Sequence, residues 1–425
     1  MHLDISIEEK RVKILILGGT VFLGRAIANA ALTAGHNVTL FNRGVSKPDS
    51  FIAQEFSHPE RLTELQGDRH NADAVRALIA DAPWDAIIDT CGTAVDMIAN
   101  TAPLIRDQLA RSPHFRYIYL STIAVYEDFG IPGITESDTL RSPPCTMEVA
   151  DESDDGTPTV ITKNPATAAN SGGIYGTERA NCERSLEKLF KDHPANLIIL
   201  RPSLLVGPGD PTDRLTYWVR RLTQPGEAIV PHAGQQFLQW VDVRDLAAWI
   251  LVLLGRDPRE EGPIYFPRVF NVGHPEKELT LGDVWRSCLA LVDKPAMLVP
   301  MDELFLLESG VQPWLEVPLW VPSFDKTMRG FTRMDTRKAE RYGLGLRPIR
   351  DTLRDIFEWD QRRAKASDSP DQLRSGIGGD RQTKLLKSWS DNGVKIEAER
   401  AIPSAPPEQQ PSQSELEAWL IEGDD

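Results

Sequence analysis

The chain has 425 residues, 41% of them hydrophobic, and a formal net charge of -15; it is long enough to bury a large core and too long to be a small binding module. An acidic balance of this size, with an isoelectric point near 5.1, repels phosphate backbones and disfavours a general nucleic-acid partner. Cys91, Cys145, Cys182 and Cys288 form no CxxC or Cys/His cluster, so neither a disulfide framework nor a metal site is expected and the compartment reads as reducing.

The opening MHLDISIEEK is polar and acidic, and no apolar run is long enough to cross a bilayer; a cytoplasmic protein without a membrane partner is expected. From residue 12, apolar β-rich runs alternate with helical patterns. VKILILGG is followed by a helix over 25–34, NVTLFNR by a helix over 72–80, and AIIDTC by RYIYLSTIAVY. A helix carrying Tyr175, then NLIILRP and a helix over 213–222, complete the series. This alternation predicts an α/β fold, a Rossmann-type doubly wound parallel sheet covered on both faces.

Two regions break the rhythm. Residues 127–172, with RSPPC, EVADESDDGTP and NPATAANSGG, read as a long insertion of the lid type. The tail over 361–425, with GIGG and IPSAPPEQQPSQS, lacks an apolar period and reads as a solvated, flexible linker. Its end, SELEAWLIEGDD, places Leu416, Trp419 and Leu420 on one face of a short terminal helix. The expected organisation is therefore a nucleotide-binding unit over 1–360, with a smaller substrate-binding region interleaved from 127–172, about 208–235 and 262–345.

ILILGGTVFLGRAIANAAL joins a buried strand to a helix through a glycine turn. Gly18, Gly19 and Gly24 stand where a tight turn, close backbone approach and helix–strand packing each need a missing side chain. The turn from Gly18 through Thr20, Val21, Phe22 and Leu23 to Gly24 is expected to hold a pyrophosphate on helix N-terminal amides. The second strand ends in LFNRG, with Asn42 and Arg43 and no acid. A carboxylate there bonds a ribose 2′-hydroxyl and a cation accommodates a 2′-phosphate, so NADP(H) is favoured over NAD(H). Asp68, in Gly67-Asp68-Arg69, is placed to meet an adenine amine.

GIYGTERANCE sets Tyr175 and Arg179 one helical turn apart, on one face. A free tyrosine titrates near ~10, so a base role near neutrality calls for an adjacent positive charge. Of the seven tyrosines, only Tyr175 and Tyr217 have a cation four residues on, and Tyr217 reads as a helix residue packed beside Trp218. His36 reads as a turn residue, Asp242 and Arg244 as a structural ion pair, and Trp314 and Trp320 as core.

Taken in order, GGTVFLG, LFNRG, GD, LSTIAVY, YGTER, RPSLLVGP and WVDVRDLA resemble an extended or atypical short-chain dehydrogenase/reductase of the NAD-dependent epimerase/dehydratase family. The likeness runs from about residue 12 to 359. It implies an oxidoreductase or epimerase acting on an alcohol or carbonyl of a small molecule, with Thr122 positioning the substrate oxygen and Tyr175 exchanging its proton. Arg179 stands where the family has lysine, with the expected duty of holding the cofactor ribose and polarising the phenol. The pattern also implies Arg69, Thr90, Cys91, Gly92, Tyr175, Arg179 and Pro202 at the cofactor, and admits a homodimer. Val21 replaces the family's middle glycine. A related chloroplast stem-loop RNA-binding group has a similar glycine turn and LFNRG, which implies the alternative of a non-catalytic dinucleotide-binding or RNA-binding scaffold.

Overall fold

The computed structural model describes residues 11–45, 56–142, 171–256, 267–366 and 373–391. Cys145, Tyr265, most of the insertion and the terminal SELEAWLIEGDD lie outside the described residues. The first half is built from β1 (Lys13–Leu17), α1 (Phe22–Thr33), β2 (Asn37–Asn42), β3 (Leu62–Gln66), α2 (Ala72–Ala77), β4 (Ala86–Asp89), α3 (Val95–Arg111) and β5 (Arg116–Leu120). Then come α4 (Ser171–Leu189), β6 (Leu197–Pro202), β7 (Leu204–Val206), α5 (Arg214–Thr223), β8 (Glu227–Pro231), β9 (Trp240–Asp242) and α6 (Val243–Gly255). The chain continues through β10 (Val269–Val272), α7 (Leu281–Leu289), β11 (Met297–Met301), α8 (Glu303–Glu308), α9 (Arg337–Arg341), α10 (Ile349–Ala366) and α11 (Gly379–Asp391).

Seven strands form one sheet in the order β10-β6-β5-β4-β1-β2-β3, and every pairing in it is parallel. Its central strands are mostly apolar and buried on both faces, as covering helices require. One face is closed by α1 and α6, whose Ile27, Ala31, Leu246 and Ile250 meet the sheet's Ile14, Ile88 and Ile198. The opposite face is closed through Val75, Ile105 and Leu186 of α2, α3 and α4. After β1 the chain runs outward through β2 and β3, then returns to place β4 on the other side of β1. The strand order therefore reverses between β1 and β4, and the crevice at their carboxyl ends is where such a sheet binds ligands.

A third core, rich in tryptophan, gathers β7–β9, α5, α7, α8 and α10 beyond that crevice, where β8 pairs with β11 and β7 with β9. Trp314 and Trp320 belong to this core. Two departures from the sequence reading follow. Residues 269–272, within the stretch assigned to the substrate region, form the outermost strand of the main sheet. Residues 373–391 are no solvated linker: Leu385 and Trp389 of α11 are buried in the third core, and Trp389 packs on Phe305 at 4.7 Å between ring centroids.

Candidate active site

At the β1/β4 crevice, Gly18 and Gly19 adopt φ of 101° and 100°, a region that only glycine enters at no steric cost. A Cβ on Gly18 would lie 2.3 Å from Thr90 Oγ1, and one on Gly24 would lie 2.6 Å from Gly19 Cα. The missing side chains thus seat α1 directly on the turn. Thr90 donates its hydroxyl to Leu17 O at 2.9 Å, tying β4 to the end of β1. The N-cap of α1 is Val21, which supplies no side-chain acceptor, so the first-turn amides face the crevice without a capping oxygen, a ready seat for an anion. Val21 is exposed on that rim, and the turn's strain falls on Phe22 at φ 39°.

A cavity of about 470 Å³ extends from this turn and is lined by Gly18 to Gly24, Asn42, Arg43, Asp68, Arg69, Thr90, Cys91, Thr122, Tyr175, Arg179 and Pro202. Gly92 is not among the lining residues; its carbonyl accepts from Tyr119 Oη at 2.6 Å. At the β2 end, Asn42 Oδ1 accepts the Gly44 N–H at 2.8 Å and Gln66 donates to Arg43 O at 2.9 Å, which leaves the Arg43 side chain exposed on the rim. Asp68 Oδ1 takes the His70 N–H at 2.9 Å.

Arg69 has a different duty from the expected one. Its Nη1 lies 2.6 Å from Asp89 Oδ1 and its Nη2 donates to Thr101 Oγ1 at 2.9 Å, while Tyr117 donates to Asp89 Oδ2 at 2.6 Å. Burial opposes the Arg69 charge, but Asp89, through its charge and hydrogen bond, together with Cys91 and Tyr117 outweighs it and raises the guanidinium above its usual range. Arg69 is thereby a buried tie between β4 and α3. Burial likewise pushes the Cys91 thiol up.

Thr122, two residues beyond β5, caps the short 3-10 turn Ile123–Val125, its hydroxyl oxygen accepting the Ala124 N–H at 3.2 Å. Helix α4 lies against that turn because Gly176 has no side chain: a Cβ there would meet Ala124 O at 2.1 Å. The contact brings Tyr175 to the cavity that Thr122 lines. The Arg179 guanidinium carbon sits 5.1 Å from the Tyr175 ring centroid, and its Nη1 donates to Leu120 O at 3.1 Å and Gly92 O at 3.4 Å. Tyr117, Tyr119 and Tyr126 are all buried, and burial raises each phenol; among the described tyrosines, Tyr175 is the one that lines the cavity.

Beneath these groups lies a buried polar chain that the sequence reading did not assign. Glu183 takes a hydrogen bond from Ser121 Oγ and pairs with Arg201 at 2.6 Å, both side chains being at most 3% exposed. Arg201 also donates to Tyr126 Oη at 2.9 Å, which donates to Asn271 Oδ1 at 2.6 Å. The available signal was spacing: Tyr175, Arg179 and Glu183 repeat every four residues on the buried face of one helix. Asp242 and Arg244 pair at 2.7 Å as expected, and Arg244 also holds Asp355 of α10 at 2.6 Å. Among the described residues, no group of three or more His, Cys, Asp or Glu could hold a metal ion, and no helix is long and apolar enough to cross a membrane.

A model of the NAD dependent epimerase/dehydratase family matches residues 14–273. Among solved structures, vestitone reductase from alfalfa superposes with a TM-score of 0.55 at 16% identity, over 83% of this chain and 99% of that one. The dTDP-glucose 4,6-dehydratase of Bacillus anthracis, solved in complex with NAD, gives 0.52 at 14% identity over 85% and 100%. The chain is 25% identical over 284 residues to the chloroplast stem-loop binding protein of 41 kDa b from Arabidopsis thaliana, covering 65% of this chain. It spans 62% of the length of that curated relative.

Proposed function

The chain belongs to the NAD-dependent epimerase/dehydratase family, and from that premise we propose that it is an NADP(H)-dependent oxidoreductase or epimerase acting at an alcohol or carbonyl of a small molecule. One observation carries the reading: Tyr175, Thr122 and the glycine turn line a single cavity, with the Arg179 guanidinium 5.1 Å from the Tyr175 ring centroid. The glycine turn on the cavity wall, with the first-turn amides of α1 uncapped by any side chain, fits a dinucleotide pyrophosphate. When bound, the dinucleotide supplies hydride exchange at its nicotinamide.

The chain's own residues handle the proton. Tyr175 gives or takes it at the phenol oxygen, beside the permanent guanidinium charge of Arg179. Thr122, whose oxygen already accepts from Ala124, has its O–H to donate to the substrate oxygen. Arg179 cannot release a proton, so Tyr175 is recharged from substrate or solvent. The preference for NADP(H) is supported by the exposed Arg43 and the lack of a carboxylate at the end of β2.

The test is a fluorescence titration with NADPH and NADH on the wild type and Arg43→Asp, followed by a carbonyl-reduction screen with Tyr175→Phe. We expect tighter NADPH binding, a reversal in Arg43→Asp, and loss of turnover in Tyr175→Phe. Equal affinities for the two dinucleotides would remove the preference, and undiminished turnover without the phenol would remove the acid/base role. A scaffold reading has one observation in its favour, the name of the chloroplast relative. Salt-sensitive RNA retention on filters without nucleotide binding would select it, against the opposing net charge of -15.

A further inference from the structure

The cavity has a second polar feature, on the wall that follows β7. Asp210 lines it and is only 3% exposed. Its Oδ1 accepts the Thr212 N–H at 2.8 Å and the Thr212 hydroxyl at 2.7 Å, whereas no described residue donates to Oδ2. Burying a carboxylate's charge is costly, and each further donor offsets part of that cost. Burial pushes this carboxyl up, with Arg214 working in the opposite direction. A ligand that donates to Oδ2 would relieve that cost.

The loop carrying Asp210 is held from outside the span of the family match. Asp213, at φ 57° before α5, takes Arg363 Nη1 of α10 at 2.7 Å and the Arg374 N–H at 3.2 Å. Ser375 Oγ donates to Thr212 O at 2.8 Å. Gly376, at φ 113°, lets the segment lie flat on α5, since a Cβ there would sit 2.0 Å from the Tyr217 ring. Arg363 of α10 and residues 374–376 thus fix the backbone of 212–213, and through Thr212 they fix the Asp210 carboxylate.

We propose that Asp210 is a substrate-recognition residue, its Oδ2 accepting a hydrogen bond from a hydroxyl that the substrate carries beside its reacting carbon, on a loop preset by the C-terminal segment. The proposal rests on the reading of this cleft as the site of carbonyl or alcohol chemistry. A hydroxyl fits better than an ammonium. Arg214 Nε bonds the same Thr212 hydroxyl at 3.0 Å, and Arg179 lines the same cavity, so two guanidinium charges oppose a cationic substrate. A group that must donate to a carboxylate and accept from a neighbouring cation is a hydroxyl.

The experiment uses the full chain with NADPH and carbonyl pairs that differ by one hydroxyl: hydroxyacetone against acetone, and 2-hydroxyacetophenone against acetophenone. Binding is read by saturation-transfer NMR, with and without NADPH, alongside kcat and KM for reduction. The wild type is expected to favour the hydroxylated member by about 10–100-fold, the worth of a hydrogen bond to a charged group. Asp210→Ala should bring that ratio near one through KM while NADPH affinity holds. Asp210→Asn, which keeps an acceptor, should retain part of the preference, and Arg363→Gln, which leaves the cavity lining intact, should lose part of it. A ratio that survives in Asp210→Ala, or equal or undetectable binding of both members by the wild type, overturns the proposal. A binding preference that persists without turnover overturns only the assignment of Tyr175.

Discussion

Gly176→Ala tests how the site is assembled, because two effects of opposite sign meet at one atom. Alanine is the better helix former by about 1 kcal/mol, so inside an unobstructed helix the change would stabilise. Here the new Cβ would lie 2.1 Å from Ala124 O and 2.9 Å from Arg141 Cδ. Arg141 can swing away; the Ala124 carbonyl belongs to the 3-10 turn that Thr122 caps. Real Cβ atoms stay at least 3.0 Å from such neighbours, so α4 and the turn must part by about 0.9 Å. Overpacking of this kind costs about 1–3 kcal/mol, which outweighs the propensity gain at most of that range. Parting the two elements also moves Tyr175 away from Thr122, and a shift near 1 Å can cost on the order of 10²-fold in rate. Urea denaturation should give a net loss of up to about 2 kcal/mol. The control Gly255→Ala, where nothing lies within 4 Å of the new Cβ, should be neutral or stabilising. NADPH affinity should change little, since the glycine turn lies on other elements. A Gly176→Ala protein as stable as the control and undiminished in turnover would refute the packing argument.

Glu183→Gln leaves Arg201, 3% exposed, without its counter-charge, and should cost about 3–5 kcal/mol in chemical denaturation; a loss under about 1 kcal/mol would mean that water reaches the pair. Trp389→Ala, removing a side chain 6% exposed, should cost about 3–5 kcal/mol, whereas a solvated linker predicts a change within about 0.5 kcal/mol. His274 is held below its usual value by burial, with Glu278 and Asp245 opposing. It stays neutral in the folded chain while the unfolded chain protonates, so stability should be full above about pH 6.5 and decline as the pH falls below it. His274→Gln should flatten that decline, measured as unfolding free energy against pH, and an unaltered slope would assign the acid sensitivity elsewhere.

The sequence made the main sheet legible because KILIL, AIID, RYIYL and LIILRP are short, mostly apolar runs buried on both faces. Strand β3 was not legible for the opposite reason: at the sheet edge, LTELQ keeps two residues half-buried and exposes the rest, so no apolar period marks it. β7 and β9 have three residues each, too few for any period to declare itself. Helix α11 reads as charged coil because DRQTKLLKSWSD anchors through few apolar side chains, and their receptor, Phe305 with its neighbours, lies far back in the chain. The site was legible where chemistry is local, in the glycine turn and in the Tyr175–Arg179 spacing. It was not legible for Arg69 and Arg201, whose guanidinium groups are committed to Asp89 and Glu183, partners 20 and 18 residues away.

Arginine at position 179 is more than a lysine with a larger head. A lysine ammonium is a point charge that can pass a proton on, whereas a guanidinium is a fixed fork that cannot. In this fold one arm of the fork bonds Leu120 O at the end of β5 and Gly92 O in the loop after β4, while the guanidinium meets the Tyr175 ring. The cation has become part of the wall that sets the angle of α4 against the sheet. Under the proposed acid/base role of Tyr175, this cation holds its charge beside the ring throughout, but it cannot refill the phenol with a proton. A net reduction consumes one proton per turnover and so needs a separate supply to Tyr175. A redox-neutral cycle, in which Tyr175 returns to the substrate the proton it removed, needs none. On the proposed reading of Tyr175 as the acid/base, the exchange of lysine for arginine therefore penalises net reduction more than epimerisation.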